Sequence, residues 1–171
     1  MRLPWRIPTF GPAIETSLTT AEAIELQGLA QDRHVLEIGA AYGYSTCLMG
    51  RVARSLTSVD PHEIHNSLPI LTENLARYAV GSVVEVIVGR SVDVLPGIHD
   101  EGWFELVFVD GDHTAVGVVF DLVQARRLAA AGGVLAFHDW GEETCPDVRK
   151  VLEAWRQPSY IVDTLAVYRL G

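Results

Sequence analysis

Between His34 and Thr46 the chain reads HVLEIGAAYGYST, and no other stretch so narrows what it can fold into. Val35, Leu36, Ile38 and Ala40 surround a single acid, Glu37, and run straight into glycines at 39 and 43. Tyr44, Ser45 and Thr46 then open a helical segment. A short apolar run that ends in a glycine turn and leads into a helix is a strand–loop–helix unit. Glycine at such a turn lets backbone amides approach a ligand where a Cβ would stand in the way. The next helix points its unsatisfied N–H groups at the same place. The stretch therefore predicts a nucleotide cradle, the alternative being a buried strand with a glycine-rich turn and no ligand. The dinucleotide fingerprint G-x-G-x-x-G has its second glycine two residues after the first. Ala41 stands there instead, leaving E-x-G-x-x-x-G. Asp60 closes the next apolar run, 21 residues beyond Gly39, where an acid at the tip of a second strand grips ribose hydroxyls.

The rest of the chain alternates in the same way. Thr19 with Glu22 makes a capping box for a helix whose Ala23, Leu26, Leu29 and Ala30 share one face. Leu56 to Asp60 predicts the second strand, and Pro69 delays or kinks the helix after it. The β-branched Val83 to Val88 reads as a buried third strand. Phe104 to Val109 is a fourth strand, and Val134 to Phe137 a fifth. The helix between them, Thr114 to Ala130, places Val116, Val119, Phe120, Val123 and Leu128 inward, and Gly132-Gly133 ends it. Asp147 to Gln157 predicts a last helix, and Tyr160 to Val162 with Leu165 to Tyr168 an antiparallel pair at one edge. The expected fold is α/β: a Rossmann-like, doubly wound, mostly parallel sheet with helices on both faces. Residues 1–18, with three of the chain's prolines in the first dozen and with Trp5 and Phe10, read as an extended arm on a single domain over 19–171. The arm packs on its own domain, covers the substrate site or meets a second subunit.

A chain of 171 residues, 49% hydrophobic and 20% charged, suits one soluble domain. The net charge of −9 argues against a nucleic-acid partner. Two cysteines are too few for a disulfide framework, and no apolar run has the length of a membrane span. The expectation is a cytoplasmic protein with neither a membrane nor a nucleic acid as partner.

In an open α/β sheet, ligands bind beyond the carboxyl ends of the strands. The unusual polar residues lie at such ends: Gly39 to Gly43, Asp60, Arg90-Ser91, Asp110 to His113 and His138-Asp139. Neighbouring fourth and fifth strands, about 4.8 Å apart, would let Asp110 and Asp139 share one divalent cation, with His138 a third ligand. Oxygen ligands favour magnesium or manganese, and a histidine tilts the site towards manganese, iron or zinc. Asp112 is placed to cap the following helix. His113, with a pKa near working pH, would reach the same space as a general base.

E-x-G-x-x-x-G resembles motif I of the class I S-adenosylmethionine-dependent methyltransferases. VLEIGAAYGYST, FVDGDHTAVGVVFDLVQARRL and GGVLAFHDW together are similar to the family containing macrolide-sugar O-methyltransferases and cephalosporin-hydroxylase-like proteins. More distantly they resemble catechol O-methyltransferases. The resemblance implies that Glu37, Gly39, Ala40, Gly43, Tyr44, Ser45, Asp60 and Asp110 hold S-adenosylmethionine, with Ser91 beside its adenine. It implies that Asp110 and Asp139 hold the metal and that His113 is the base, where catechol enzymes use lysine. The sugar enzymes commonly carry an acidic pair where this chain has His138-Asp139. The chain is short in material for a lid, and a homodimer is one way to complete the pocket. The implied activity is metal-assisted O-methylation of a small hydroxylated molecule. Its rivals are a nicotinamide-dependent oxidoreductase and a non-catalytic S-adenosylmethionine-binding module.

Overall fold

The structure, a computed structural model, describes residues 9–63 and 66–171. Trp5 and the first part of the expected arm lie outside them. The elements in order are α1 (Thr20–Ala30), β1 (His34–Ile38), α2 (Tyr44–Gly50), β2 (Ser55–Asp60), α3 (Leu68–Arg77), β3 (Val84–Val88) and α4 (Ser91–Val94) with a 3-10 turn (Leu95–Gly97). Then follow β4 (Phe104–Val109), α5 (Ala115–Leu128), β5 (Ala129–Phe137), α6 (Pro146–Trp155), β6 (Tyr160–Val162) and β7 (Leu165–Arg169). One seven-stranded sheet runs β3-β2-β1-β4-β5-β7-β6. Strands β1 to β5 pair in parallel, and β7 lies antiparallel between β5 and β6. This is the Rossmann-like, doubly wound sheet that the alternating pattern predicts. Among the described residues no helix is long and apolar enough to cross a membrane.

Strand side chains alternate between two cores, as the two-residue period of a pleated sheet requires. Val35, Leu106, Phe108, Val134 and Ala136 face α1, α2 and α3, together with Ile14 and Leu18 from the N-terminal stretch. Leu36, Ile38, Val107, Val109, Leu135 and Phe137 face α5 and α6. The alternation has a consequence for three polar residues. Glu37, Asp110 and His138 occupy even steps of the first series, so they fall on the side of α1 and α2. Phe10 packs against the same core, and the Tyr44 hydroxyl donates to its carbonyl at 2.6 Å.

Four local expectations need correction. Val116, Val119 and Val123 on α5 are exposed, while Val118, Asp121, Leu122 and Ala125 are buried. Valines stand on every side of this helix, so apolar spacing alone could not choose the inner face. Strand β3 is the sheet's edge and only half buried. Strand β5 begins at Ala129, ahead of the glycine pair, with an irregular register opposite Phe104 to Leu106. Finally, the glycines of the first loop answer to the protein itself. Gly39 has φ +93°, and a Cβ there would run into the backbone carbonyl of Asp110; Gly43 has φ +88°, and a Cβ would strike the Leu71 side chain.

Gly39→Ala should therefore lower stability by at least ~2 kcal/mol, through left-handed strain and overpacking. Gly28 lies within α1, and a Cβ there meets nothing within 4 Å. Gly28→Ala should raise stability by ~0.5–1 kcal/mol, and urea denaturation of both variants checks the pair.

Candidate functional site

A cavity of about 570 Å³ opens beyond the carboxyl ends of β1 and β4, where the strand order reverses. Gly39, Ala40, Tyr44, Ser45, Asp60, Ser91, Asp110 and His113 stand in its wall. Asp60 organises the glycine loop. Its Oδ2 accepts from the amides of Ala40 at 2.8 Å and Ala41 at 2.9 Å, and its Oδ1 from the His62 amide at 2.6 Å. Two amides expected to face a ligand thus face Asp60, whose remaining lone pairs line the cavity. Glu15 to Leu18 also form part of the wall; nothing in their spacing announces it.

Glu37 and Gly43 are not wall residues. Gly43 shapes the loop from behind, and Glu37 lies fully buried beneath it. Its Oε2 accepts from the hydroxyls of Thr46 and Ser58, each at 2.6 Å, while Oε1 is buried without a hydrogen-bond partner. Burial pushes this carboxyl up to about 7, even though the surrounding hydroxyls act the other way. These two bonds tie β1 to α2 and β2.

At the far end of the cavity the tips of β4 and β5 bring Asp110, His138 and Asp139 together, with one potential ligand atom from each lying within 4.8 Å of the others. His138 Nδ1 lies 3.5 Å from Asp110 Oδ1 and 3.3 Å from Asp139 Oδ1, yet it is buried and makes a proper hydrogen bond to neither. His113 Nε2 sits 3.0 Å from Asp139 Oδ2 and 3.4 Å from Asp110 Oδ1. Asp139 and His138 stand behind Asp110 and His113, outside the cavity wall. Asp139 holds φ +60°, a left-handed conformation that aspartate tolerates better than most residues. Cys145 Sγ is 3.9 Å from Asp139 Oδ2. Two oxygens and an unpartnered imidazole nitrogen converging on one point fit a divalent cation.

The electrostatics follow from crowding. Burial alone would lower the His113 pKa, but Asp110 and Asp139 raise it to about 10. His138 is raised as well, against its burial, chiefly by Asp110. Burial also works against both acids, which their histidines nevertheless hold below the usual carboxylate range. Asp112 is not the helix cap: Thr114 caps α5 by accepting from the Gly117 amide at 3.2 Å, and Asp112 Oδ1 accepts from the Thr114 amide at 2.9 Å. Asp121 is a buried acid that sequence reading missed. It lies behind Gly111, and burial raises it to about 6 despite the nearby Ser91 hydroxyl.

Residues 36–140 match the family described as Methyltransferase domain. The catechol O-methyltransferase of Mycobacterium tuberculosis is 33% identical over 141 residues, covering 72% of this chain and 63% of its own. That of Niastella koreensis is 31% identical over 132 residues, with coverages of 72% and 57%. The chain thus spans 63% and 57% of the lengths of these two relatives. The O-methyltransferase TomG of Streptomyces achromogenes, involved in tomaymycin synthesis and solved in complex with SAM, shares the fold. Its TM-score is 0.70 at 24% identity, over 90% of this chain and 82% of its own.

Glu37 sets a pH dependence of folding. Between the ordinary carboxyl range and about 7, the folded chain holds a proton that the unfolded chain has released. Stability must then fall as pH rises through that window. Glu37→Gln keeps an acceptor for Thr46 and Ser58 without the ionisation, so the fall of the urea midpoint should lessen in the variant. The difference should be clearest above the value of about 6 to which Asp121 is raised, since Asp121 contributes a fall of the same sign below it.

Proposed function

This chain belongs to the methyltransferase-domain family that matches its residues 36–140, and from that premise we propose that it moves a methyl group from S-adenosylmethionine to a hydroxyl of a small molecule, a sugar or natural-product scaffold, with help from a divalent metal. The observation that carries the reading is the acid–imidazole cluster of Asp110, His113, His138 and Asp139 at one end of the cavity beyond β1 and β4. Gly39, Ala40, Tyr44 and Ser45 cradle the donor, and Asp60 offers its spare lone pairs to ribose hydroxyls. Ser91 lies by the adenine, and Gly43 keeps the loop in shape. Asp110, His138 and Asp139 are the residues that would hold the metal, magnesium or manganese.

Methyl transfer breaks a sulfur–carbon bond and makes an oxygen–carbon bond, so the acceptor hydroxyl must give up its proton. A bound divalent ion would lower the pKa of that hydroxyl and neutralise the two carboxylates beside His113. The second effect matters because those carboxylates hold His113 protonated, at a pKa of about 10. Relieved of them, His113 takes the acceptor's proton at Nε2, the ring nitrogen turned towards the acids. Catalysis otherwise comes from positioning donor and acceptor in line in a walled cavity.

Three measurements test the reading. S-adenosylhomocysteine should raise the thermal midpoint, because a ligand of the native state stabilises it. NADH should not; a shift with NADH alone would mark an oxidoreductase instead. Activity should vanish in excess chelator and return with manganese or magnesium, and full activity in chelator would make the acids structural. His113→Ala should keep S-adenosylhomocysteine binding yet lose ~10²–10⁴ in kcat, the usual worth of a positioned base. A loss confined to KM would give His113 a role in orienting substrate only.

A further inference from the structure

Glu22 accounts for itself in the sequence as the acid of a capping box, and the structure gives it more partners than a cap needs. It is fully buried on α1. Its Oε2 accepts from the Thr19 amide at 2.7 Å, completing the cap. Its Oε1 accepts twice from Thr164, in the turn between β6 and β7, from the amide and the hydroxyl, each at 2.7 Å. Oε2 also lies 3.4 Å from His138 Nε2, and Thr164 Oγ1 lies 3.3 Å from the same nitrogen.

These contacts determine where the hydrogen of His138 sits. A hydroxyl has one proton, and that of Thr164 is committed to Glu22 Oε1. Towards His138 Nε2 the threonine oxygen can then only accept, and the glutamate oxygen likewise. Both neighbours of Nε2 are acceptors, so Nε2 carries the hydrogen. The opposite ring nitrogen, Nδ1, faces Asp110 and Asp139 without a proper hydrogen bond to either. We propose that Glu22, with Thr164, is a positioning residue that fixes the orientation and tautomer of His138 and so presents its Nδ1 lone pair to a metal shared with Asp110 and Asp139. The assignment rests on the metal reading given under Proposed function. A carboxylate on the far nitrogen of a metal-binding imidazole fixes the ring and raises its basicity, and losing such a partner commonly costs 10–100-fold in metal affinity.

Glu22→Gln is the informative change. Thr164 donates twice at Oε1 and Thr19 once at Oε2, so the single glutamine carbonyl meets more donors at Oε1. Its amide N–H₂ then faces Nε2, and the capping contact with the Thr19 amide is given up. Nε2 then has to accept, the hydrogen moves to Nδ1 and the metal-facing lone pair is lost. Losing the capping contact weakens the start of α1, and circular dichroism with S-adenosylhomocysteine calorimetry verifies that the fold and donor site are intact. Thr164→Val is the second variant, leaving the cap alone and removing one of the two acceptors. Imidazole ¹⁵N spectra of the whole chain with zinc, and manganese titration followed by electron paramagnetic resonance, give the readouts.

The expected result is a His138 hydrogen on Nε2 in the zinc-loaded wild type. Manganese affinity should fall ~10–100-fold in Glu22→Gln and roughly 3–10-fold in Thr164→Val, with S-adenosylhomocysteine affinity unchanged. A hydrogen on Nδ1 in the loaded wild type, or manganese binding indifferent to both variants, overturns the assignment and leaves the metal reading standing. A wild type that binds neither ion overturns both.

Discussion

Everything at this site depends on backbone hydrogen bonds that continue the parallel ladders past the ends of the strands. The Asp110 amide donates to the Ile38 carbonyl at 2.8 Å, the His138 amide to Val109 at 3.0 Å, and the Gly39 amide to Val59 at 2.9 Å. Residues just beyond β1, β4 and β5 are therefore held as firmly as those within them. Gly39 makes the first of these junctions close, because only a residue without a Cβ can lie against the Asp110 carbonyl. In the proposed reaction, groups fixed in this way would need little reorganisation, and that is how they would contribute to rate.

The charges of the cluster balance in an informative way. Glu22, Asp110 and Asp139 are three buried or half-buried carboxylates set against two imidazoles. Isolated charges in such surroundings are costly, and paired ones are tolerated. Two protonated imidazoles leave a single negative charge. A divalent ion with both imidazoles neutral would leave the same count, so the pocket can exchange one arrangement for the other with no change in its net charge. The pKa directions express the first arrangement: both histidines sit high, while Glu22 is held at about 2, burial opposing and His138 favouring its charge.

How much of this was legible in the sequence depended on how local each cause is. Strand tips were legible because a two-residue period ending in glycine or a polar residue is a local pattern, and so Asp110, His113, His138 and Asp139 could be nominated together. The Thr19–Glu22 cap was legible for the same reason. Its second task was not, since Thr164 is 142 residues away from Glu22. The inner face of α5 was misread because valines surround that helix, and tertiary packing chose Asp121 for the interior. The resemblance to motif I nominated Glu37 for the cofactor; that its carboxylate also joins Thr46 on α2 to Ser58 on β2 is a contact the motif does not announce. The wall made by Glu15 to Leu18 comes from irregular backbone, which has no period to read.

The contact between Glu22 and Thr164 also sets the order in which the molecule can be completed. The loop from Glu37 to Asp60 is made within a short span of chain and costs little loop entropy to close. The support of His138 instead requires the β6–β7 turn, and Thr19 and Asp163 are joined beside it by a 2.6 Å hydrogen bond. Closing so long a loop carries its entropic cost before the contact returns anything. During synthesis the glycine loop and its Asp60 contacts can therefore form while the acid–imidazole cluster still lacks one side. That side arrives only when the last strands have emerged and found the first helix.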